Sequence, residues 1–303
     1  MKTNTYIRVA ILLLISCATV KTLHAQQIAL SHSHNSGFNT AVNPALSLMN
    51  EKGHISFIGR HQWVGLEGAP TAYWGHAHLG LQKLGATAGV QFSKDHVGVE
   101  KQSQVSLYFA KSIRISENEY LGMSLSAGLV HFDARYSSLD GTDPLFSQDL
   151  NEADALLGVG ITLFRPEKYY IGLSIPRYTS GGIGAFGDTK YNFENQYFLS
   201  SGYLFSTGSN FHIKPSLILA YSNTTKLTFD GSALVFAQRT VGFGLGIRSQ
   251  GELSGKLQVN YAGLGLGYSY QFNPKSQPLN RYITNSSHEI GLTYSFSGNQ
   301  GLL

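Results

Sequence analysis

The sequence predicts an all-β fold: a transmembrane, antiparallel up-and-down barrel of the outer-membrane type, with about fourteen strands. Three observations carry the prediction. Residues 241–248 (Val-Gly-Phe-Gly-Leu-Gly-Ile-Arg) and 264–272 (Leu-Gly-Leu-Gly-Tyr-Ser-Tyr-Gln-Phe) place a large apolar side chain at every second position, with Gly, Ser, Gln or Arg between. Successive strand side chains point to opposite faces, so one face is bulky and greasy and the other nearly bare. A soluble sandwich carries Lys, Glu and Thr on its outward face, whereas a small or polar face turned inward against a lipid-facing bulky face is barrel patterning. The second observation is that this pattern recurs along the whole chain. The third is that the connections sort by parity.

Composition agrees. Charged residues are 13% of the chain, about half the usual share, while 34 Gly, 17 Tyr and 17 Phe are plentiful. The formal charge of +4 comes mostly from the first 25 residues. Setting aside Lys2, Arg8 and Lys21 leaves 19 basic residues against 18 acidic, a balance that offers no nucleic-acid groove.

Taken in order, residues 1–25 read as a signal peptide, with Lys2 and Arg8 ahead of an apolar core over 9–20 and a cleavage site at Leu23-His24-Ala25. A competing reading is a lipoprotein box, Leu14-Ile15-Ser16-Cys17, around the chain's one cysteine. No later segment reaches the roughly 20 unbroken apolar residues of a spanning helix. Residues 26–52 are a polar lead-in, a plug or a periplasmic segment, and the barrel is expected over 53–303. Strands are expected at 54–63, 71–79, 84–92, 104–115, 119–132, 154–164 and 169–175. The second half adds 196–205, 211–221, 226–236, 241–248, 252–261, 264–272 and 288–296. Most approach the nine to eleven residues that a tilted spanning strand needs, and their number is even, as bacterial barrels require. Pro215 sits badly inside its strand because proline removes a ladder hydrogen bond.

Links after even strands are tight (80–83, 116–118, 165–168, 206–210, 237–240, 262–263). Long links fall only after odd strands (93–103, 133–153, 176–195, 273–287). Short periplasmic turns and long external loops produce this asymmetry. The last strand ends on alternating Ile290, Leu292, Tyr294 and Phe296, with seven residues beyond it.

Chemistry-bearing patterns are sparse. Gly182, Gly184 and Gly187 match a dinucleotide spacing but lie in a long loop with no helix after them. His76 and His78 could share a face toward a metal, as could His32 and His34, but no third ligand stands near either pair. The loop holding Asp133, Asp140, Asp143, Asp149, Glu152 and Asp154 lacks the spacing of a calcium loop. Candidate bases His131 and His288 and acids Asp133 and Glu289 have no serine in a nucleophile-elbow context. The reading is therefore non-enzymatic, with no cofactor and no metal. The inward faces carry too few charges to set solute selectivity.

One series of motifs has a family look. Asn43-Pro44-Ala45, then Arg60-His-Gln62-Trp63-Val-Gly65-Leu-Glu-Gly68-Ala69-Pro70, resembles the opening of the PorP/SprF family of type IX secretion and gliding proteins of Bacteroidetes. Later echoes are Asp95-His-Val-Gly98, Tyr108-Phe-Ala110, Asp143-Pro144 with Phe146, Gly172-Leu-Ser174-Ile-Pro176, Lys214-Pro215-Ser216, Tyr268-Ser-Tyr270 and His288-Glu289-Ile290. The resemblance spans almost the whole chain after the leader, and it gives Pro215 a place.

It implies an outer-membrane barrel that presents or anchors exported surface proteins, or links them to periplasmic machinery. The implied partners are type IX secretion components and an exported surface protein (a client or adhesin), together with outer-membrane lipid. Trp63 is expected in an interfacial belt, with Gly65, Gly68 and Pro70 shaping the first external turn. The loops 133–153 and 176–195 are the candidates for partner specificity, with Tyr178, Phe186, Tyr191 and Phe193 as aromatic anchors. The alternative is a porin or a channel for small hydrophobic solutes.

Overall fold

A backbone that crosses a bilayer must satisfy every N–H and C=O within itself, and a sheet does so only by closing. The computed structural model of the chain does close. It describes residues 39–50, 52–139, 143, 148–179, 193–208, 210–249, 251–274, 286–298 and 301–303. The first half of the wall is β1 (Gly53–Gln62), β2 (Thr71–Leu81), β3 (Ala86–Val97), β4 (Glu100–Arg114), β5 (Tyr120–Ala134), β6 (Leu150–Arg165) and β7 (Tyr169–Tyr178). The second half begins with β8, which is in two segments, Tyr197–Tyr203 and Phe205–Thr207. It continues with β9 (Phe211–Ser222), β10 (Lys226–Ala237), β11 (Val241–Arg248), β12 (Leu253–Tyr261), β13 (Leu264–Phe272) and β14 (Ser286–Ser295). Each strand pairs antiparallel with its sequence neighbours, and β14 pairs with β1 from His54↔Ser295 to Gln62↔Ser287, sealing the cylinder.

The period-two pattern sorts side chains as expected. On β13 every other residue from Leu264 to Phe272 is exposed and those between are buried, and β5, β6 and β12 alternate likewise. The exposed set is the lipid face: Leu107, Leu125, Leu173, Leu245 and Leu292 at mid-wall. Aromatics gather toward the two ends, Tyr169, Tyr203 and Phe205 at one and Tyr197, Tyr221 and Phe272 at the other. Belts of this kind mark the two interfaces of a membrane barrel.

Turn chemistry fixes the hairpins. Ala262 and Gly263, both at positive φ (47° and 81°), make the two-residue link from β12 to β13 whose twist matches the flanking strands. The longest connections of the wall follow odd strands (135–149, 179–196, 273–285), as parity demands. One expected long loop is absent. Residues 93–97 continue β3 and 100–103 begin β4, so only Gly98 and Val99 turn between them. These residues are polar because β3 to β6 outrun the bilayer: β4, β5 and β6 hold 15, 15 and 16 residues, and strand above the lipid needs no greasy face.

Pro215 also finds its reason. It lies within β9 and pairs with Ala233 of β10. On its other side the ladder to β8 lapses at Leu204, between Ser216↔Gly202 and Ile213↔Phe205. By that register Pro215 faces Tyr203 and has no N–H to give.

Inside the wall runs a segment that precedes β1: a short helix α1 (Asn39–Val42) and a 3-10 helix (Pro44–Met49), joined at Asn43. Asn43 caps the second helix, accepting from the Ala45 N–H at 3.1 Å, with Pro44 at the first helical position.

Candidate functional site

The interior is built in two unlike halves. One half holds residues 39–50. Asn43 is wholly buried, and its amide donates to the carbonyls of Ile161 (3.1 Å) and Leu173 (3.4 Å) on β6 and β7. Ser174 donates to the Val42 carbonyl at 2.7 Å, and Gln91 donates to the Thr40 carbonyl at 2.6 Å. Ser47 and Thr87 share a hydrogen bond of 2.6 Å. Glycines make the room. A Cβ on Gly172 would lie 2.6 Å from Asn43 Nδ2, one on Gly122 would lie 2.7 Å from Leu48 Cδ1, and one on Gly160 would collide with Asn43 Oδ1. The bare inner face of β5 to β7 is thus a slot cut to the shape of this segment.

The segment ends against histidines. His78 Nε2 faces the Asn50 carbonyl at 3.1 Å, and since a carbonyl only accepts, that nitrogen carries the hydrogen. His78 Nδ1 then accepts from His76 Nε2 at 3.0 Å, and His76 Nδ1 accepts from Ser56 at 3.3 Å. Tyr108 Oη is 2.9 Å from His76 Nε2. The expectation that no third histidine stands near this pair is corrected. His54, directly across from His78 on β1, brings its ring centroid within 5.8 Å of His76 and 6.2 Å of His78. Among the described residues no group of His, Cys, Asp or Glu is arranged to hold a metal.

The other half carries charge, which corrects the expectation of too few inward charges. Reading across the ladder, Lys214, Leu234, Gly244, Lys256, Ser269, Glu289 and Arg60 occupy one row from β9 round to β1. Lys214, Lys256, Glu289 and Arg60 are each no more than 6% exposed. Nearer the external end Arg248 bridges Asp230 (2.8 Å) and Glu252 (3.2 Å). The Gln62 amide lies against Arg60, and in the orientation that satisfies both groups its oxygen accepts from Arg60 Nε and Nη2 at 3.2 Å. The row was readable in the sequence by period two, since each member lies in the series alternate to its strand's outward residues, such as Ile55 and Phe57 for Arg60 and Leu257 and Val259 for Lys256.

Apolar side chains cluster toward both ends of the wall. At the external end Phe193 (4% exposed) joins Val130, Phe132, Ala134 and Leu156. At the periplasmic end Leu46 and Leu48 pack with Ala110, Phe164 and Tyr170, and Leu302 of the C-terminal tail joins Leu204, Leu234 and Phe236.

The sequence-derived candidates fall in three places. Asn43 and Pro44 lie inside the barrel. Gln62, Trp63, Gly65 and Pro70 form the external link from β1 to β2. There Trp63, expected to end the strand, follows it in a left-handed conformation (φ 46°) and donates to the Ser286 carbonyl at 2.8 Å. Gly65 and Gly68 have φ of 97° and 72°, and the Pro70 carbonyl accepts from Gln62 N–H at 2.9 Å. Gly98 donates to the Gly68 carbonyl at 2.9 Å, which joins this block to the Asp95–Gly98 block at the tip of the next hairpin.

Tyr178 is on the surface at the end of β7, whereas Phe193 is turned inward. Phe186 and Tyr191 lie outside the described residues, as do Gly182, Gly184, Gly187, His32, His34 and Cys17. His131 meets Asn151 at 3.0 Å and His288 meets Tyr268 at 2.7 Å. Glu289 cannot serve His288, because adjacent strand residues face opposite sides of the wall. In the acidic loop, Asp149 accepts from the backbone N–H and hydroxyl of Ser137, while Asp154 is buried within the wall.

A model of the type IX secretion system membrane proteins PorP/SprF matches residues 23–294. The chain belongs to the PorP/SprF family. The family match, the closed sheet and its apolar outer face make this PorP/SprF protein integral to the outer membrane. Comparison with curated protein sequences yields no match. Among solved structures, the CymD monoaromatic hydrocarbon channel is similar, with a TM-score of 0.53 and 14% identity over 88% of this chain and 95% of that one. A deletion mutant of TodX, also a monoaromatic hydrocarbon channel, gives 0.51 and 9% identity over 93% of this chain and 98% of that one. At these identities the likeness is one of fold.

Proposed function

We propose that this PorP/SprF protein is a non-enzymatic outer-membrane barrel that presents or anchors a protein exported by the type IX system, or couples it to periplasmic components. In this reading residues 1–25 direct export, and 26–52 contribute a plug of which 39–50 is the wall-bound part. The supporting observation is the interior: a lumen occupied by the chain's own segment, hydrogen-bonded to the wall, suits a holder of proteins better than a conduit. Partner specificity is assigned to the external loops, the 63–70 link included, where Tyr178 is accessible. The test is a detergent pull-down of the tagged protein from envelopes of its native host, read by mass spectrometry. Co-purification of type IX components and an exported surface protein is expected, and recovery of the barrel alone would count against the reading.

The likeness in fold to hydrocarbon channels favours one rival, a channel for small apolar solutes. The buried row of Lys214, Lys256, Glu289 and Arg60 opposes it, because an apolar solute would leave those groups without polar partners. Planar-bilayer recordings separate the two for charged solutes, and uptake of a monoaromatic hydrocarbon into vesicles separates them for apolar ones. Neither conductance nor uptake is expected.

A further inference from the structure

Seven residues follow Phe296, and the last of them turn back into the barrel. Leu302 is 1% exposed and clusters with Leu204, Leu234 and Phe236, all on the inner face. Leu303 packs against the cluster of Leu46, Leu48, Ala110, Phe164 and Tyr170, which includes the inner 3-10 helix. Leu303 also packs against the Leu302 cluster, so the tail lies along the periplasmic end of the β6–β10 wall, where that wall meets the inner 3-10 helix.

What lies beneath it is specific. By register Leu204, Lys214 and Leu234 stand side by side on β8, β9 and β10, so Lys214 is flanked by two members of the Leu302 cluster. Lys214 is wholly buried, and its ammonium has no hydrogen-bond partner among the described residues. The nearby Lys256 ammonium is in the same condition. Two buried ammonium groups without partners are expensive to keep dry, and water reaching them from the periplasm would relieve that cost. The tail and the inner segment are also held differently. Residues 39–50 are tied to the wall by hydrogen bonds and seated in glycine slots, whereas Leu302 and Leu303 lean on it through apolar side chains.

We propose that residues 301–303 are a lid over the Lys214 end of the charged row, and that the inner segment is the fixed frame it closes against. Lifting the tail admits water to Lys214 without disturbing the wall. The proposal rests on the barrel and not on the identity of any client, so it stands or falls separately from the anchoring role.

The test uses Lys214→Cys in a Cys17→Ser background, refolded into lipid vesicles and exposed to a membrane-impermeant maleimide. Slow labelling is expected with the full tail, and labelling faster by about tenfold or more after deletion of residues 301–303, since modification follows the open population. Folding of both forms is checked by heat-modifiable gel mobility. If the deletion fails to fold, Leu302→Asp replaces it with the same expectation. Rates within about twofold of each other, or fast labelling with the tail intact, overturn the lid.

Discussion

Gly160 shows how much a single residue can hold in this barrel. Its missing side chain is the space into which the Asn43 amide fits, and Gly172 on the next strand completes the slot. Gly160→Val should force Asn43 out of its bonds to Ile161 and Leu173 and destabilise the fold by about 1–3 kcal/mol, the usual cost of overpacking. The expected readouts are a lower urea midpoint in lipid and faster proteolysis at residues 39–50. Gly255, whose Cβ would meet nothing within 4 Å, is the control, and Gly255→Ala should be close to neutral. Much at this scale could be read in the sequence, because the alternation that exposed a bare inner face also marked Lys214, Lys256, Glu289 and Arg60 as inward. The occupant of that face could not be read. Residues 39–50 have no periodicity of their own, and their helices exist because Asn43 caps one of them and the wall receives both.

At the scale of elements, strand existence followed from period two nearly everywhere, and the errors cluster where a strand changes solvent. Residues 93–97 read as loop because Ser93, Lys94, Asp95 and His96 are polar, yet they belong to β3 where the wall rises above the lipid. Pro215 read as a blemish and is one, but a local one, confined to the lapse at Leu204. Pro215→Val should restore the missing bond to Tyr203 and stabilise the barrel by about 0.5–1.5 kcal/mol, seen as a higher urea midpoint. On the lipid face the opposite sign is expected. Leu245 is 75% exposed in the middle of β11, and Leu245→Arg should destabilise folding into bilayers by about 2–4 kcal/mol if that position sits at the midplane. An unchanged midpoint would mean that β11 does not face hydrocarbon.

For the whole molecule, parity of the loops, closure of β1 on β14 and the two aromatic belts describe one object, an upright cylinder in the outer membrane. Cell fractionation should leave the protein in the envelope pellet after an alkaline carbonate wash and release it with detergent. The unboiled protein should migrate apart from the boiled one, as closed barrels do. Recovery in a soluble fraction would contradict the architecture. The resemblance built from the Asn-Pro-Ala and Gln-Trp blocks anticipated the family, and the structure shows these blocks doing separate work. The first anchors the inner segment and the second closes an external turn upon Gly98. The external loops offered no comparable signal, because loops carry no periodic pattern.

The position of residues 39–50 has a bearing on assembly. They stand immediately ahead of β1, and β1 is one edge of the final join with β14. The segment and the seam are thus neighbours, and whatever fixes one stands next to the other. An insertion machine handling this polypeptide would have residues 39–50 beside the unfinished hoop before the last edge meets the first.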